Sequence, residues 1–255
     1  MNNPVCNTER VIRMTVTPDA RITINSEKIK EPFKVVLLAD IQTDAPGSAE
    51  ARIFSITAEE NPDLLLFSGD YIQLTDPGDY QKAIIVLQEI LKNFNLNPPL
   101  GAFAIQGNVD KNGWKQIFVD SHILAIDSTR TLDLDHLVLT ALGMEDAGNT
   151  SLSLAGSEKF QIVLGHSPNY SLGIIEADLL LAGHTHGGQV QLPGLGPILT
   201  LSGVPRDWAS GLTEVQAGQY LLVSRGIGLE RGNAPRLRFL CRPELIVISI
   251  EPVSD

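Results

Sequence analysis

The chain is poor in the features that mark several protein classes. It carries 2 cysteines in 255 residues. Cys6 and Cys241 are too few for a disulfide framework and lack the Cys-x-x-Cys spacing of a metal or redox motif. Long hydrophobic runs are missing as well: stretches such as Val35–Ala39 and Leu64–Phe67 fall far short of the roughly 18 residues that a bilayer span needs. The N-terminus, MNNPVCNTERVIRM, lacks the apolar segment of a signal peptide, and a cytoplasmic location is the expectation. Basic residues are scarce, with 19 Lys+Arg against 30 Asp+Glu and a net charge of −11. That balance argues against a broad nucleic-acid surface, though not against a small anionic substrate held at a metal. What is present, 43% hydrophobic and 19% charged residues, is an ordinary globular composition able to bury a large core.

Short apolar runs alternate with helical stretches, the pattern of an α/β fold. Arg10–Val16 and Arg21–Ile24 read as a hairpin-like pair across Thr17-Pro18-Asp19, a turn sequence. Lys34–Ala39, Leu64–Phe67 and Leu100–Ile105 are apolar throughout, as buried strands are. Between them Gly47–Glu60 reads as a helix. Over Asp79–Asn95 the apolar residues Ala83, Leu87, Ile90, Leu91 and Phe94 recur at spacings of three and four, which predicts an amphipathic helix. Ile123–Ile126, Thr131–Leu134 and Leu137–Leu142 read as strands of a second sheet. Phe160–Leu164 and Asp178–Ala182 are further strands, and Tyr220–Ser224 and Leu245–Ile250 close that sheet. Residues 187–218 are rich in Gly and Pro and read as a long functional loop over a site. With no internal repeat, residues 1–255 form one expected domain.

Five runs place a polar residue just past an apolar strand: VVLLAD-Ile-Gln ending at Asp40 and Gln42, LLLFSGD at Asp70, GAFAIQGN at Asn108, QIVLGH at His166, and LLLAGH-Thr-His at His184 and His186. Ligands of open α/β sheets bind outside such carboxyl ends. Four of the runs put Gly directly before the polar residue, which permits tight turns and close approach. Taken singly each has an ordinary explanation: Asp40 or Asp70 as a cap, Asn108 as a turn former, His166 as a packed histidine. His184 and His186, two apart in an expected extended segment, would point to one side. Three of the 5 histidines fall in these runs, and the joint occurrence points to a metal centre. His122 and His136 read as surface or packing residues.

The ordered set AD-I-Q (39–42), GD (69–70), GNVD (107–110), GHS (165–167) and GHTH (183–186) closely resembles the calcineurin-like metallophosphoesterase superfamily over about residues 34–250. GHTHGGQVQLPG (183–194) and SRGIG (224–228) look most like its bacterial phosphoesterase and phosphodiesterase branch, cytoplasmic or membrane-associated. The resemblance implies a four-layer α/β/β/α sandwich of two mixed sheets flanked by helices. It further implies a two-metal site, with Asp40, Asp70 and His186 on the first ion, Asp70 bridging, and Asn108, His166 and His184 on the second. Two divalent transition metals, Mn, Fe or Zn, suit these donors. A hydroxide bridging them would attack phosphorus in line, with Asp70, Asn108 and His184 as the catalytic set.

Two positions depart from the family pattern. Gln42 stands where the family has a metal-binding His; it either faces the first metal, directly or through water, or has a non-ligand role, and the first metal is the looser one. Val109 stands where the family often has a substrate-contacting His, so that proton donor is missing, a loss typically worth about 10²- to 10⁴-fold in rate. A phosphodiester or pyrophosphate is therefore favoured over a monoester, and lipid-linked phosphates occur in the related branch. Asn108 and Arg225 are candidate substrate contacts, although Arg225 equally suits an ion pair with an acidic neighbour. Arg206 and Trp208 form either a rim over the site or a loop packed on itself. The rival expectation is a catalytically weakened scaffold that binds protein partners.

Overall fold

Period-two burial builds the core. Val35 and Leu37 join one apolar cluster while their neighbours Val36 and Leu38 join another, because successive side chains of a strand point to opposite faces. A strand buried on both faces must be covered on both, and the architecture follows from that requirement. The computed structural model describes residues 20–192, 196–197, 199–232 and 237–253.

In chain order the strands begin with β1 (Arg21–Ser26), β2 (Phe33–Leu38), β3 (Leu64–Phe67), β4 (Ala102–Ile105), β5 (Ile123–Ile126), β6 (Arg130–Leu134), β7 (Leu137–Ala141) and β8 (Ser153–Leu154). They continue with β9 (Phe160–Leu164), β10 (Ile174–Ile175), β11 (Leu179–Ala182), β12 (Gln191–Leu192), β13 (Gly196–Pro197), β14 (Gly211–Gln216), β15 (Gln219–Val223) and β16 (Ile246–Pro252). One six-stranded sheet runs β1-β16-β2-β3-β4-β5 and a second runs β14-β15-β11-β9-β7-β6. Both are mixed: β16 lies antiparallel to β2, and β14 and β6 lie antiparallel to their neighbours.

The inner faces pack on each other through Leu37, Leu66, Ile105, Leu139, Ile162 and Leu181. The outer face of the first sheet is covered by α1 (Ser48–Glu59), α2 (Pro77–Lys92) and a 3₁₀ turn at Trp114–Phe118. The outer face of the second carries α3 (Met144–Gly148) and the 3₁₀ turn Pro168–Leu172. This is the expected four-layer α/β/β/α sandwich. The second predicted helix starts earlier than its apolar period suggests. The Asp76 carboxylate accepts from the amides of Gly78 and Asp79 at 2.8 and 3.0 Å, and Pro77 occupies the first helical position, as caps favour.

Two strand assignments need correction. Ile123–Ile126 pairs with β4 as the edge of the first sheet, not the second. Leu245–Ile250 corresponds to β16, which inserts between β1 and β2 of the first sheet. β1 pairs with β16 in parallel register on one side; Arg10–Val16, its expected hairpin partner, lies outside the described residues. Among the described residues no helix is long and apolar enough to cross a membrane.

Candidate metal centre

Five parallel strands set the site. Asp40 follows β2, Asp70 follows β3, Asn108 follows β4, His166 follows β9, and His184 follows β11. The first three belong to one sheet and the last two to the other, so the residues converge where the carboxyl ends of both sheets meet.

The loops are held in a conformation that ordinary residues avoid. Asp40 (φ 50°), Gln42 (41°), Asp70 (59°), His184 (70°) and His186 (50°) all sit in the left-handed region. Such strain persists only where surrounding structure over-determines it, and it collects at functional sites. The expected extended segment at His184–His186 is therefore a tight turn, with Thr185 capping a short 3₁₀ turn from His186 to Gly188. Two glycines permit the loops to touch. A Cβ at Gly69, itself at φ 94°, would strike the Gly107 backbone, and one at Gly107 would strike the Asp70 carboxylate.

Hydrogen bonding identifies which electron pairs are free. His166 Nδ1 lies 2.8 Å from the carbonyl of Ser68, and a carbonyl only accepts, so Nδ1 carries the proton and Nε2 a lone pair. His184 Nε2 lies 3.2 Å from the Leu201 carbonyl, which leaves a lone pair on Nδ1. Those two nitrogens stand 3.3 Å apart, and Asn108 Oδ1 lies 2.7 Å from each. Asp70 Oδ2 is 3.4 Å from His166 Nε2. Acceptors crowded in this way would be satisfied by a positive charge between them. Without one, the cluster is relieved only by turning the Asn108 amide so that its two N–H bonds meet the rings.

A second corner adjoins the first. Ligand atoms of Asp40, Asp70 and His166 lie within 4.8 Å of one another, all three residues being buried. His186 Nε2 and Gln42 Oε1 are buried without a hydrogen-bond partner, an arrangement that is costly unless something else satisfies them. Arg238 approaches His186 Nδ1 at 3.3 Å, but its Nη2 lies closer to the carbonyls of Gly228 (2.6 Å) and Arg225 (2.7 Å). Nη2 also reaches the Gly226 carbonyl at 3.2 Å, so its two hydrogens are shared among four acceptors and the contact with His186 is a weak, branched one. The donor set of carboxylate, amide oxygen and imidazole fits divalent transition metals.

The titration behaviour inverts the usual order. Burial raises the Asp70 carboxyl to about 7, and burial beside Asp70 raises Asp40 well above the carboxylate range. Burial lowers His166 to about 4; burial and the neighbouring His166 lower His184 to about 4. Burial and then the Arg238 charge push His186 down. The imidazoles are thus neutral and able to ligate, and a cation beside the carboxylates would hold them ionised.

Asp110, the last residue of the GNVD block, has a role that the sequence does not mark. Its carboxylate accepts from the amides of Asp70, Tyr71 and Gly107, each at 2.8 Å, and ties the Asp70 loop to the Asn108 loop. A buried donor left unsatisfied costs about 1–3 kcal/mol. Asp110→Ala strands three and is expected to lower unfolding free energy in urea by at least about 3 kcal/mol. A loss under about 1 kcal/mol would show that Asp110 is not the clamp.

The remaining candidates divide. Arg225 turns to Glu244: its Nε donates to Oε2 at 2.7 Å and its backbone amide to Oε1 at 2.7 Å, so the acidic pairing is the one realised. Trp208 packs on the outer cluster of the second sheet, and neither it nor Arg206 is among the residues lining the cleft. That cleft, of about 700 Å³, is lined by Asp70, Asn108, His184 and His186 together with the apolar Val109, Val190, Leu199 and Leu201.

The family model described as calcineurin-like phosphoesterase matches residues 33–188. An uncharacterized metallophosphoesterase of Bacillus subtilis, YkuE, is 32% identical over 87% of this chain and 80% of its own length. The phosphodiesterase YaeI of Escherichia coli is 26% identical over 86% and 82%. The UDP-2,3-diacylglucosamine pyrophosphatase LpxG of Chlamydia muridarum is 23% identical over 85% and 83%.

Proposed function

The chain belongs to the calcineurin-like phosphoesterase family and is a metal-dependent phosphoesterase, and from that premise we propose that it cleaves a phosphodiester or a pyrophosphate at a two-metal site. The observation that carries the proposal is the convergence of free electron pairs from Asn108, His166 and His184 beside the buried Asp40–Asp70 pair. Asp40, Gln42, Asp70 and His186 would hold one ion, and Asp70, Asn108, His166 and His184 the other, with Mn, Fe or Zn as the ions these donors suit. When bound, such ions supply charge for the phosphoryl oxygens and a nucleophilic water at neutral pH. The residues themselves orient and neutralise. Asp110 fixes the loops, the Ser68 carbonyl holds the His166 ring in the tautomer that ligates, and the Leu201 carbonyl does the same for His184. The scaffold alternative leaves the strained backbone and crowded acceptors without a purpose.

Leaving-group chemistry supports a diester or pyrophosphate. Val109 lines the cleft next to Asn108 and has no proton to give, so a leaving group that needs protonation departs slowly. The apolar wall of Val109, Val190, Leu199 and Leu201 favours a substrate whose phosphate bears an apolar group, such as a lipid-linked phosphate. LpxG, by its name, acts on a diacylated sugar nucleotide.

The test compares two substrates on metal-stripped, Mn-reloaded protein. Bis-(p-nitrophenyl) phosphate releases a stable phenolate and is expected to turn over with saturation. An alkyl phosphomonoester is expected to be slower, and Val109→His to narrow that gap by about 10²-fold. No turnover of the diester with two equivalents of metal bound would overturn the proposal.

A further inference from the structure

The departure at Gln42 has a structural counterpart 188 residues along the chain. Gln42 is fully buried. Its Nε2 donates to Glu230 Oε2 at 2.8 Å. A carboxylate only accepts, so this bond settles which way round the amide sits: nitrogen toward Glu230, and Oε1 left buried with no partner. Glu230 is itself fixed. Its Oε1 accepts from Gln73 Nε2 at 2.9 Å and from the Gly232 amide at 2.5 Å, and its own amide donates to Gln189 Oε1 at 2.7 Å. The backbone beneath is clamped too, with the Gln42 carbonyl accepting from Arg231 and the Gln42 amide donating to the Asp70 carbonyl at 2.8 Å. This much order around one amide is unnecessary for a side chain that only fills space.

We propose that Glu230 is a positioning residue that orients the Gln42 amide so that its oxygen, in place of an imidazole nitrogen, serves the cation that Asp40, Asp70 and His186 would hold. The inference rests on the two-metal reading above. It makes the two halves of the centre chemically unequal. One has three oxygen donors and a single imidazole, from Asp40, Gln42, Asp70 and His186. The other has two imidazoles, from His166 and His184, beside the oxygens of Asp70 and Asn108. Carboxylate and carbonyl oxygens suit Mn, whereas imidazole suits Zn and Fe. The Gln42 half therefore prefers Mn and the His166–His184 half prefers Zn or Fe.

The test is Mn²⁺ binding to the metal-stripped full chain, counted by the loss of the free-ion electron paramagnetic resonance signal, with no turnover involved. The wild-type chain is expected to take up two equivalents. Glu230→Ala should weaken one of them by about 10- to 100-fold, the range for partners that orient a ligand, and leave the other within about 2-fold. Gln42→Ala should weaken the same equivalent, and adding Glu230→Ala to it should cost nothing further, since the two act through one amide. Gln42→His should shift that equivalent toward Zn²⁺. Two wild-type equivalents that both survive Gln42→Ala unchanged would overturn this inference alone, whether or not the Glu230 variant folds. So would a Glu230→Ala loss that is equally large without Gln42. A wild-type chain that binds no Mn²⁺ would overturn both this inference and the two-metal reading.

Discussion

Asp70→Asn is expected to abolish metal uptake and phosphodiester hydrolysis together while leaving the fold intact. The carboxylate stands at the junction of the two corners. Its Oδ1 accepts from the Val109 amide at 2.9 Å, its Oδ2 lies 3.4 Å from His166 Nε2, and it shares the buried cluster with Asp40. An asparagine preserves the volume and one acceptor oxygen, so the Val109 bond can survive. It removes the negative charge that the proposed pair of cations would require. Loss of residues that merely orient ligands costs about 10- to 100-fold, and loss of a carboxylate that the proposed two-metal site would share should exceed that in both affinity and rate. The measurement is paired: metal equivalents by titration and turnover of bis-(p-nitrophenyl) phosphate on the same preparation. Full hydrolysis by Asp70→Asn would place the chemistry elsewhere. Retained metal with lost hydrolysis would give Asp70 a catalytic role without a ligand role.

Much of this centre was legible in the sequence because the fold writes it locally. Each of the five runs couples an apolar strand to a polar residue within three positions, and parallel strands carry all such ends to one edge. Two kinds of information were not local. Strand runs announce themselves by composition, but sheet membership depends on pairing across the chain, which is why chain order alone puts Ile123–Ile126 and Leu245–Ile250 in the wrong sheet. The supporting residues hide for the same reason. Glu230 and Arg238 lie in irregular segments with no period to mark them, and they reach Gln42 and His186 across 188 and 52 residues. Asp110 was within sight, since it closes the GNVD block. The signal that could have exposed it was the pairing of Gly69 with Gly107, two small residues that let the loops touch and so need a clamp. The turn at His184–His186 was likewise signalled by Gly183, Gly187 and Gly188, which are poor company for an extended segment.

The inverted titration order makes the metal-free protein unusually sensitive to alkaline pH, and metal should remove that sensitivity. Consider first the carboxyls. Asp70 is raised to about 7 and Asp110 to about 8, in both cases by burial first, and Asp40 is raised as well. Their folded values exceed their unfolded ones, so the folded state holds more protons, and stability is lost as pH rises through about 7 to 8. The histidines run the other way. His166 and His184, lowered to about 4 by burial, contribute stability above their ordinary value of 6.5 and lose it as pH falls toward 4. Between those limits the two sets oppose each other, while above pH 6.5 only the carboxyls act. Each group whose proton is held in the folded state alone contributes a slope of about 1.4 kcal/mol per pH unit. From pH 6.5 to 8.5 the metal-free chain should therefore lose a few kcal/mol, a fall of roughly 5–10 °C in Tm at about 2–4 °C per kcal/mol for a domain of this size. Bound cations hold the carboxylates ionised, so the loaded protein should melt at nearly constant temperature over the same range, and loading near pH 7 should release protons. Thermal melts of stripped and reloaded protein across that range decide the matter, with Asp70→Asn as the internal control. An amide cannot ionise, so the stripped variant should melt above the stripped wild-type chain at pH 8.5. Equal, flat profiles for the stripped and loaded wild-type chain would mean that the buried carboxyls are not paired against each other.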